Sequence, residues 1–305
     1  MNWNNFFETI LNPRQVALVF MVKTSKWWKD ETYVQILHWL RIGKKMDLKN
    51  PKTYNEKCNW MKLHYHHPLF TKMVDKYEAK KIVAEKIGEE HVVKCYGVWN
   101  HFDEIDFNKL PKQFVLKCTH DSGSVCVVKD KETMDKDAIR MKMEKGLKRY
   151  YFLQERGWPY KDVKPRILAE EYIPSLGKPE SIEWKLSCFD GEVKFSTRCG
   201  GIAHQALKLR SNDHYDRSWN RMEWYAYYEP TDQDYPKPPF IEELIKYSEQ
   251  LSQGIPYLRV DWYVVDNKIF FGEFTFYTWA GFCKFIPEEW NNTLGNWITL
   301  PEANA

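Results

Sequence analysis

The spacing of apolar residues changes near residue 110, from a helical pattern to a strand-like one. Residues 33–42 carry apolar side chains at helical spacing, which predicts a helix. A second helix is predicted from Asp75, which begins a capping-box-like sequence, to Ile87, with Gly88 as the stop. Residues 1–70 are therefore predicted to be mostly helical and irregular.

Beyond that change, the pattern predicts a β-hairpin and then a long helix. Two β-rich runs, at 114–118 and 125–129, flank the small polar residues 119–124, which predicts a hairpin with a flexible tip. A charged helix is predicted over residues 135–154. The helix-breaking segment 157–159 (GWP) follows, and we place a boundary between two lobes there.

A second, strand-rich lobe is predicted to open with the apolar run at 167–173. Strands are then predicted at 183–189 and 192–198. Asp190-Gly191, a turn pair typical of two-residue loops, joins them into a hairpin.

The end of the chain predicts a loop, a helix and a last hairpin. Residues 200–238 are polar and rich in arginine and aromatic residues, and are predicted to form a long loop. A helix is predicted over 241–253. The alternating runs 257–265 and 269–277 then predict two paired strands.

Four polar residues interrupt the aromatic pattern of this last hairpin. Alternation places Arg259 and Asp261 on one face of the first strand, and Glu273 and Thr275 on one face of the second. If residues 266–268 form the loop, Asp261 lies opposite Glu273 and Arg259 opposite Thr275. A two-residue loop would shift the register by one and separate the two acids.

Two opposed carboxylates indicate a cation between them. Like charges directly opposite on a sheet are destabilising, and Mg²⁺ prefers hard oxygen ligands and accompanies phosphate. Asp261 and Glu273 are therefore candidate magnesium ligands. Alternatively, Arg259 or Lys268 neutralises them without a metal, and the local sequence favours neither interpretation.

Lys117 ends an apolar strand directly before the Ser/Gly loop. An ammonium beside several backbone N–H groups suits polyphosphate. An exposed hairpin tip explains the same residues without a ligand. Neither the phosphate loop G-x-x-x-x-G-K-[ST] nor G-x-G-x-x-G occurs, so neither of those nucleotide-binding folds is supported.

The charge balance gives no general argument for nucleic acid as a partner. Lysine and arginine total 45 against 42 acidic residues, a net charge of +3 over 305 residues, so any basic site must be local. Aromatic residues make up 16% of the chain. Most are explained by core filling, although such rings also stack on sugars and nucleobases. The seven cysteines show no C-x-x-C spacing and are predicted to be reduced.

The longest apolar run, residues 16–22, is far too short to span a membrane. No secretory signal pattern starts the sequence, and we predict a cytoplasmic protein without a transmembrane segment. The helix at 33–42 could lie at a membrane surface as a peripheral contact, but a helix packed on the core is the more common outcome.

Several motifs together resemble the ATP-grasp superfamily of carboxylate ligases. The phrases at 53–57 (TYNEK), 110–117 (LPKQFVLK), 189–191 (FDG) and 271–276 (FGEFTF) are similar to the branch named after the teichuronopeptide synthesis protein TupA. The resemblance implies an α+β fold with two lobes and ATP between them. It implies a helical N-terminal region at 1–72, a first lobe at 73–163 and a second lobe at 164–305.

The resemblance also implies roles for individual residues, with ATP and Mg²⁺ as cofactors. The positions that match ATP-binding residues are the phosphate lysines Lys76 and Lys117, the lid residues Ser122, Gly123 and Ser124, the adenine-strand residues Glu170, Tyr172 and Ile173, and the ribose-binding Glu183. The positions that match metal ligands are Asp261, Glu273 and Thr275, the last standing where Asn is common. Arg259 and Lys117 match catalytic residues, and Arg259 would face the developing acyl phosphate.

The implied reaction joins a carboxylate to an amine through an acyl phosphate. The carboxylate would be a uronic acid of a capsular or other surface polysaccharide or of its nucleotide-sugar precursor, and the amine an amino acid or other small amine. The candidate substrate-binding residues are Lys185, Arg198, Lys208, Arg210, Arg217 and Arg221, although a solvated loop explains the 200–238 region equally well. A glycosyltransferase, which would need a nucleotide-sugar-binding fold that the pattern does not predict, and a non-catalytic glycan-binding protein are the alternatives.

Overall fold

A computed structural model of the chain describes residues 12–178, 180–201 and 209–303. As predicted, the N-terminal region is helical. Its helices are α1 (Pro13–Lys23), α2 (Asp30–Ile42), α3 (Tyr54–His64) and α4 (Pro68–Val74). Tyr33, Val34 and Leu37 of α2 are fully buried, so this helix packs on the core rather than presenting its apolar face to a membrane.

A four-stranded antiparallel sheet follows the helix α5 (Glu78–Ile87). Its strands are β1 (Cys95–Trp99), β2 (Phe114–Cys118), β3 (Val125–Val128) and β4 (Ile167–Glu171), in the order β1-β4-β2-β3. The long helix predicted over 135–154 is two helices, α6 (Lys136–Leu147) and α7 (Phe152–Glu155). β4 lies between β1 and β2, so the sheet of the first lobe includes a strand that the sequence assigned to the second.

A five-stranded antiparallel sheet with the order β10-β9-β5-β6-β7 forms the second half. Its strands are β5 (Glu183–Phe189), β6 (Glu192–Gly200), β7 (Ser211–Asp216), β9 (Tyr257–Val265) and β10 (Lys268–Thr275). A short pair, β8 (Tyr225–Ala226) and β11 (Phe285–Ile286), and the helices α8 (Ile241–Ser252) and α9 (Trp290–Asn296) complete it. β7 and β8 fall in the region that was predicted to be one long loop. This prediction is partly wrong, because β7 pairs with β6 and β8 pairs with β11.

The predicted hairpin of β5 and β6 has the expected turn. Asp190 and Gly191 both have positive φ, 50° and 82°, as a two-residue turn between twisted strands requires. The prediction succeeds because the turn depends on adjacent residues only.

The last hairpin reaches the predicted pairing by a different route. Its loop has two residues, Asp266 and Asn267, and not three, so Lys268 pairs with Val265. A β-bulge at Gly272 then adds one residue and restores the register. A Cβ atom at Gly272 would lie 3.0 Å from the Asp261 carbonyl oxygen, which explains the glycine there.

The main hydrophobic core lies against the five-stranded sheet and contains much of the aromatic content. Trp184, Trp224 and Trp262 are buried there among other rings. Core filling therefore explains many of the aromatic residues. In the described part of the chain, no helix is long and apolar enough to cross a membrane.

Candidate active site

Residues from both halves of the molecule line one cavity of about 500 Å³. The loop between β2 and β3 contributes Asp121 and Ser122, and the segment before α5 contributes Lys76. β5, β6, β9 and β10 form the opposite wall. Of the predicted site residues, those that line the cavity are Lys76, Ser122, Glu183, Lys185, Arg210, Arg259, Glu273 and Thr275.

Asp261 is fully buried at the base of this wall and is held by two cations. Arg259 donates from Nε and Nη2 to the two carboxylate oxygens at 2.6 and 2.7 Å, and Lys185 Nζ lies 3.1 Å from Oδ2. Burial would raise the pKa of Asp261, but the charges of Arg259 and Lys185 outweigh it and hold the pKa below its usual value. In this structure Arg259 therefore neutralises Asp261, which is one of the two interpretations that the sequence left open.

Glu273 lies directly opposite Asp261, as predicted, and its side chain is 53% exposed. Its carboxylate is 3.8 Å from Nη2 of Arg259. Thr275 lies opposite Arg259, as predicted, and its hydroxyl accepts a hydrogen bond from the same guanidinium at 3.0 Å. Thr275 thus supports the arginine in this structure.

The donor set of these two strands fits Mg²⁺. In the described residues, no three Asp, Glu, His or Cys side chains come together as a metal-binding group. Asp261 and Glu273 provide two carboxylates on one face of the sheet: Glu273 lines the cavity, and the buried Asp261 contacts Arg259 and Lys185, which line it. Two are enough, because Mg²⁺ in proteins is commonly held by one or two carboxylates together with waters and substrate phosphates.

A second ion pair joins Lys185 to Glu183 at 2.9 Å. Burial would lower the pKa of Lys185, but the Asp261 carboxylate raises it above the ordinary lysine value, so the ammonium stays charged. Burial raises the pKa of Glu183. The sequence predicted Glu183 and Lys185 at the site. It did not predict that Lys185 also pairs with Asp261 on β9.

Lys76 reaches the cavity from the other half of the molecule. Its Nζ donates to the Asp121 backbone carbonyl, and its backbone N–H donates to Thr119 O at 3.0 Å. Burial lowers its pKa, while the nearby charge of Glu273 acts in the opposite direction. The side chain of Lys76 therefore lies near Glu273 of β10.

The predicted lid, residues 119–124, is anchored at its base. Arg149 Nη1 donates to Asp121 Oδ2 at 2.7 Å and to the Ser122 carbonyl at 2.9 Å. Ser124 also donates to Asp121, at 2.6 Å, and is buried. Ser122 and Gly123 are exposed at the tip. Arg149 comes from the segment after α6, so its role could not be recognised from the loop sequence.

The predicted adenine strand holds a buried carboxylate between two lysines. Glu170 on β4 is ion-paired with Lys117 on β2 and with Lys80 on α5, the latter at 3.2 Å. Burial would raise the pKa of Glu170, but the two ammonium groups lower it. Sequence reasoning missed Lys80, which lies in the first turn of α5, four residues after Lys76. Tyr172 and Ile173 follow β4 and are partly buried.

The predicted substrate arginines separate into different environments. Arg210 lines the cavity and donates to the Tyr228 hydroxyl at 3.3 Å. Arg198 and Arg221 both lie beside the buried Asp213 carboxylate, at 3.7 and 3.5 Å. Arg217 pairs with Glu249 on α8, outside the cavity.

Lys208 lies outside the described residues. Of the four predicted arginines, only Arg210 lines the cavity. Arg198 lies on β6 between the lining residues Thr197 and Cys199, and alternation places its side chain on the other face of the sheet.

A further cation at the cavity was missed by sequence reasoning. Lys62 on α3 is 2% exposed, and its Nζ donates to Asn59 Oδ1 and Glu155 O, both at 3.0 Å, and to Ala280 O. It joins α3, α7 and the 278–281 segment. Its only sequence signal is a lysine among the apolar positions of a helix, which does not identify its partners.

A sequence model described as TupA-like ATP-grasp matches residues 56–299. This match covers most of the chain, and the chain therefore belongs to the TupA-like ATP-grasp family. The membership confirms the predicted family and the ATP-grasp fold. No curated protein matches the sequence significantly.

The fold is similar to solved ATP-grasp structures at low identity. D-alanine–D-alanine ligase from Bacillus anthracis, complexed with ATP, is 18% identical, with 67% of this chain and 53% of that chain covered and a TM-score of 0.39. The D-cycloserine synthetase DcsG is 13% identical over 75% of this chain and 71% of that one, with a TM-score of 0.42. An ATP-grasp RimK domain protein from Sphaerobacter thermophilus is 12% identical over 75% and 69%, with a TM-score of 0.41.

This chain spans about half the length of the Bacillus anthracis ligase. At these identities and TM-scores, the substrates of the solved proteins say nothing about the substrates of this one.

Replacing Lys117 with Met is expected to raise the KM for ATP and to lower kcat, each by about tenfold, the worth of one charge-assisted hydrogen bond to phosphate. Lys80 still neutralises Glu170 in this variant, so the fold should be retained. ADP release against ATP concentration measures both constants. Lys112→Met is the matched control, because Lys112 begins the same hairpin and pairs with Asp130 on the surface. Equal kinetics in the two variants would contradict the role of Lys117.

Proposed function

We propose that this protein is an ATP-dependent carboxylate–amine ligase that acts on a uronic acid of a surface polysaccharide or of its nucleotide-sugar precursor. One observation carries the proposal: Lys76 from one half of the molecule and Glu273 from the other line a single cavity, and Glu273 pairs across the sheet with the buried Asp261. A cation for phosphate and carboxylates for a divalent metal, brought together from the two halves, suit phosphoryl transfer by positioning and charge.

In this reaction a carboxylate oxygen attacks the γ-phosphorus of ATP, and ADP leaves. The amine nitrogen then attacks the acyl carbon, phosphate leaves, and the nitrogen loses a proton to give the amide. The chain needs no covalent nucleophile for either step. Magnesium, held by Asp261 and Glu273, would neutralise phosphate charge.

Each remaining role is a proposal that the family resemblance supports. Arg259 faces the cavity from beside both acids, where a planar cation can stabilise charge on the transferred phosphoryl group. The proposed nucleotide-binding residues are Lys76, Lys117, Ser122, Gly123, Ser124, Glu170, Tyr172, Ile173 and Glu183. The two lobes would meet near residues 172–182, between β4 and β5, with ATP between them.

The far end of the cavity is suited to an acidic sugar. Arg210 lies there with the aromatic rings of Trp224, Tyr228 and Trp279 among the lining residues. A guanidinium binds a carboxylate with two parallel hydrogen bonds, and aromatic rings offer flat apolar surfaces. The second substrate would be an amino acid or another small amine, and we place the reaction in the cytoplasm.

The decisive experiment measures ADP release from the purified protein with Mg·ATP, uronate glycosides or nucleotide uronates, and a mixture of amines. A ligase releases ADP only when carboxylate and amine are both present, and hydroxylamine in place of the amine gives a hydroxamate from the acyl phosphate. Release of a nucleoside diphosphate from a nucleotide sugar without ATP would instead identify a glycosyltransferase. Glycan binding without either release would identify a binding protein.

Replacing Arg210 with Gln is expected to raise the KM for the uronate by about tenfold and to leave the KM for ATP unchanged. The reason is that one charged contact to the carboxylate is lost, worth about 1.5–3 kcal/mol. Separate titrations of the two substrates in the ADP-release assay check the result.

Arg217→Gln is the matched control for Arg210→Gln. Arg217 lies in the same part of the sequence but pairs with Glu249 outside the cavity, and an exposed pair contributes little to stability. If Arg217→Gln raises the uronate KM as much as Arg210→Gln does, the carboxylate is not bound at this end of the cavity.

A further inference from the structure

The helix α1 is apolar on both of its sides. Ala17, Leu18 and Met21 pack against the N-terminal hydrophobic cluster. The opposite side is exposed and is continued by Trp27, whose exposed fraction is 74%. We define the α1 patch as the exposed apolar residues Val16, Val19, Phe20, Val22 and Trp27.

The composition of this patch is unusual for a free surface. Single exposed apolar residues are normal, but a helix that is apolar all round is ordinarily covered. The exposed fraction of Phe20 is 57%, although phenylalanine gains about 1.5–3 kcal/mol when it is fully buried. The patch therefore calls for an occupant that buries it.

The charges around the patch specify the chemistry of that occupant. Residues 12–29 contain four cations and no acid, whereas the whole chain carries a net charge of only +3. All four cations, Arg14, Lys23, Lys26 and Lys29, are exposed. Apolar side chains rimmed by exposed lysine and arginine are the pattern of a helix that lies in the plane of an anionic membrane surface.

The inner side of α1 reaches a groove that shares Trp279 with the cavity. Gln15 and Leu18 of α1 share a shallow groove with Tyr227 and Trp279. The rings of those two aromatic residues are 4.2 Å apart, and both are partly or largely exposed. Trp279 also lines the cavity itself. Tyrosine and tryptophan are enriched where proteins meet the membrane–water interface.

We infer that the α1 patch docks this protein on an anionic lipid bilayer. α1 has 11 residues and lies along the surface rather than across the bilayer. Docking does not depend on the ligase activity. Only its consequence, that the acceptor is presented at the membrane, rests on the proposed function.

The test is co-sedimentation of the full chain with vesicles of phosphatidylcholine and phosphatidylglycerol, and with vesicles of phosphatidylcholine alone, without ATP or acceptor. The wild type should bind the anionic vesicles at least about tenfold more strongly and lose binding at high salt. Phe20→Glu should weaken binding at least about tenfold, because it places a charge in the apolar contact. Lys23→Gln with Lys26→Gln should weaken it through charge alone.

Met141→Glu is the matched control, because Met141 is an equally exposed apolar residue on α6 that is not part of the patch. It should leave vesicle binding unchanged. Absence of binding by the wild type overturns the inference. Residues 1–11, outside the described structure, would then be the candidate segment that covers the α1 patch. Binding that survives Phe20→Glu, or a wild-type dimer that Phe20→Glu dissociates, also overturns it, in favour of another surface or a second copy of the chain.

Discussion

Replacing Glu273 with Gln is expected to lower ADP release by roughly 100-fold or more at saturating Mg²⁺, because it removes the carboxylate of the facing pair that lines the cavity. The free energy of unfolding should change by less than about 1 kcal/mol, because the side chain is more than half exposed and its ion pair with Arg259 is long. Initial rates over a range of Mg²⁺ concentrations, together with denaturant unfolding, check both statements.

Asp266→Asn is the control for this change. It removes an equal charge from the same hairpin, at an exposed turn residue whose positive φ of 51° asparagine tolerates. Wild-type turnover is expected. If Glu273→Gln retains turnover close to that of Asp266→Asn, Glu273 does not hold the metal.

Replacing Asp261 with Asn is expected to abolish turnover and also to destabilise the fold by about 3–5 kcal/mol. From the sequence, the two acids are equivalent and both changes preserve the shape of the side chain. In the structure, Asp261 is the fully buried partner of Arg259 and Lys185, so Asn leaves two cations without their main counter-charge.

The pH dependence of unfolding provides a second measurement for Asp261→Asn. Because the folded pKa of Asp261 lies below its unfolded value, about 3.9, its contribution is complete above that value. The contribution is lost as the pH falls through the folded pKa. The stability difference between wild type and variant should therefore be largest near neutral pH and shrink in acid. A difference below 1 kcal/mol at pH 7 would contradict the buried ion-pair account.

The facing acids show how a correct prediction can rest on a wrong loop. From the sequence, a three-residue loop opposes Asp261 and Glu273 and a two-residue loop separates them, whereas the hairpin has a two-residue loop and a bulge at Gly272. The longer loop and the bulge each leave one extra residue between Val265 and Glu273. The face on which each side chain lies is read from the sequence, but where the extra residue sits depends on how β10 packs.

The sequence did not predict that β4 belongs to the four-stranded sheet, because the strands that pair there are distant in the chain. β4 follows the predicted lobe boundary in sequence, yet it lies between β1 and β2. Glu170 can then reach Lys117 and Lys80, which come from β2 and α5. No local pattern encodes such a pairing, because it depends on which strand edges remain available after the rest of the sheet has formed.

The sequence by itself determined the helical N-terminal region, the β5–β6 hairpin with its Asp190-Gly191 turn, and the family, because turn chemistry, residue spacing and motifs reside in neighbouring residues. Only the tertiary structure decided which arginine stands in the cavity. Arg210 and Arg221 look alike in the sequence, but Arg221 does not line the cavity: it forms an isolated bridge with Tyr215 of β7 and lies 3.5 Å from the buried Asp213. A charged side chain takes its role from the partners that the fold brings to it, and those partners are far away in the chain.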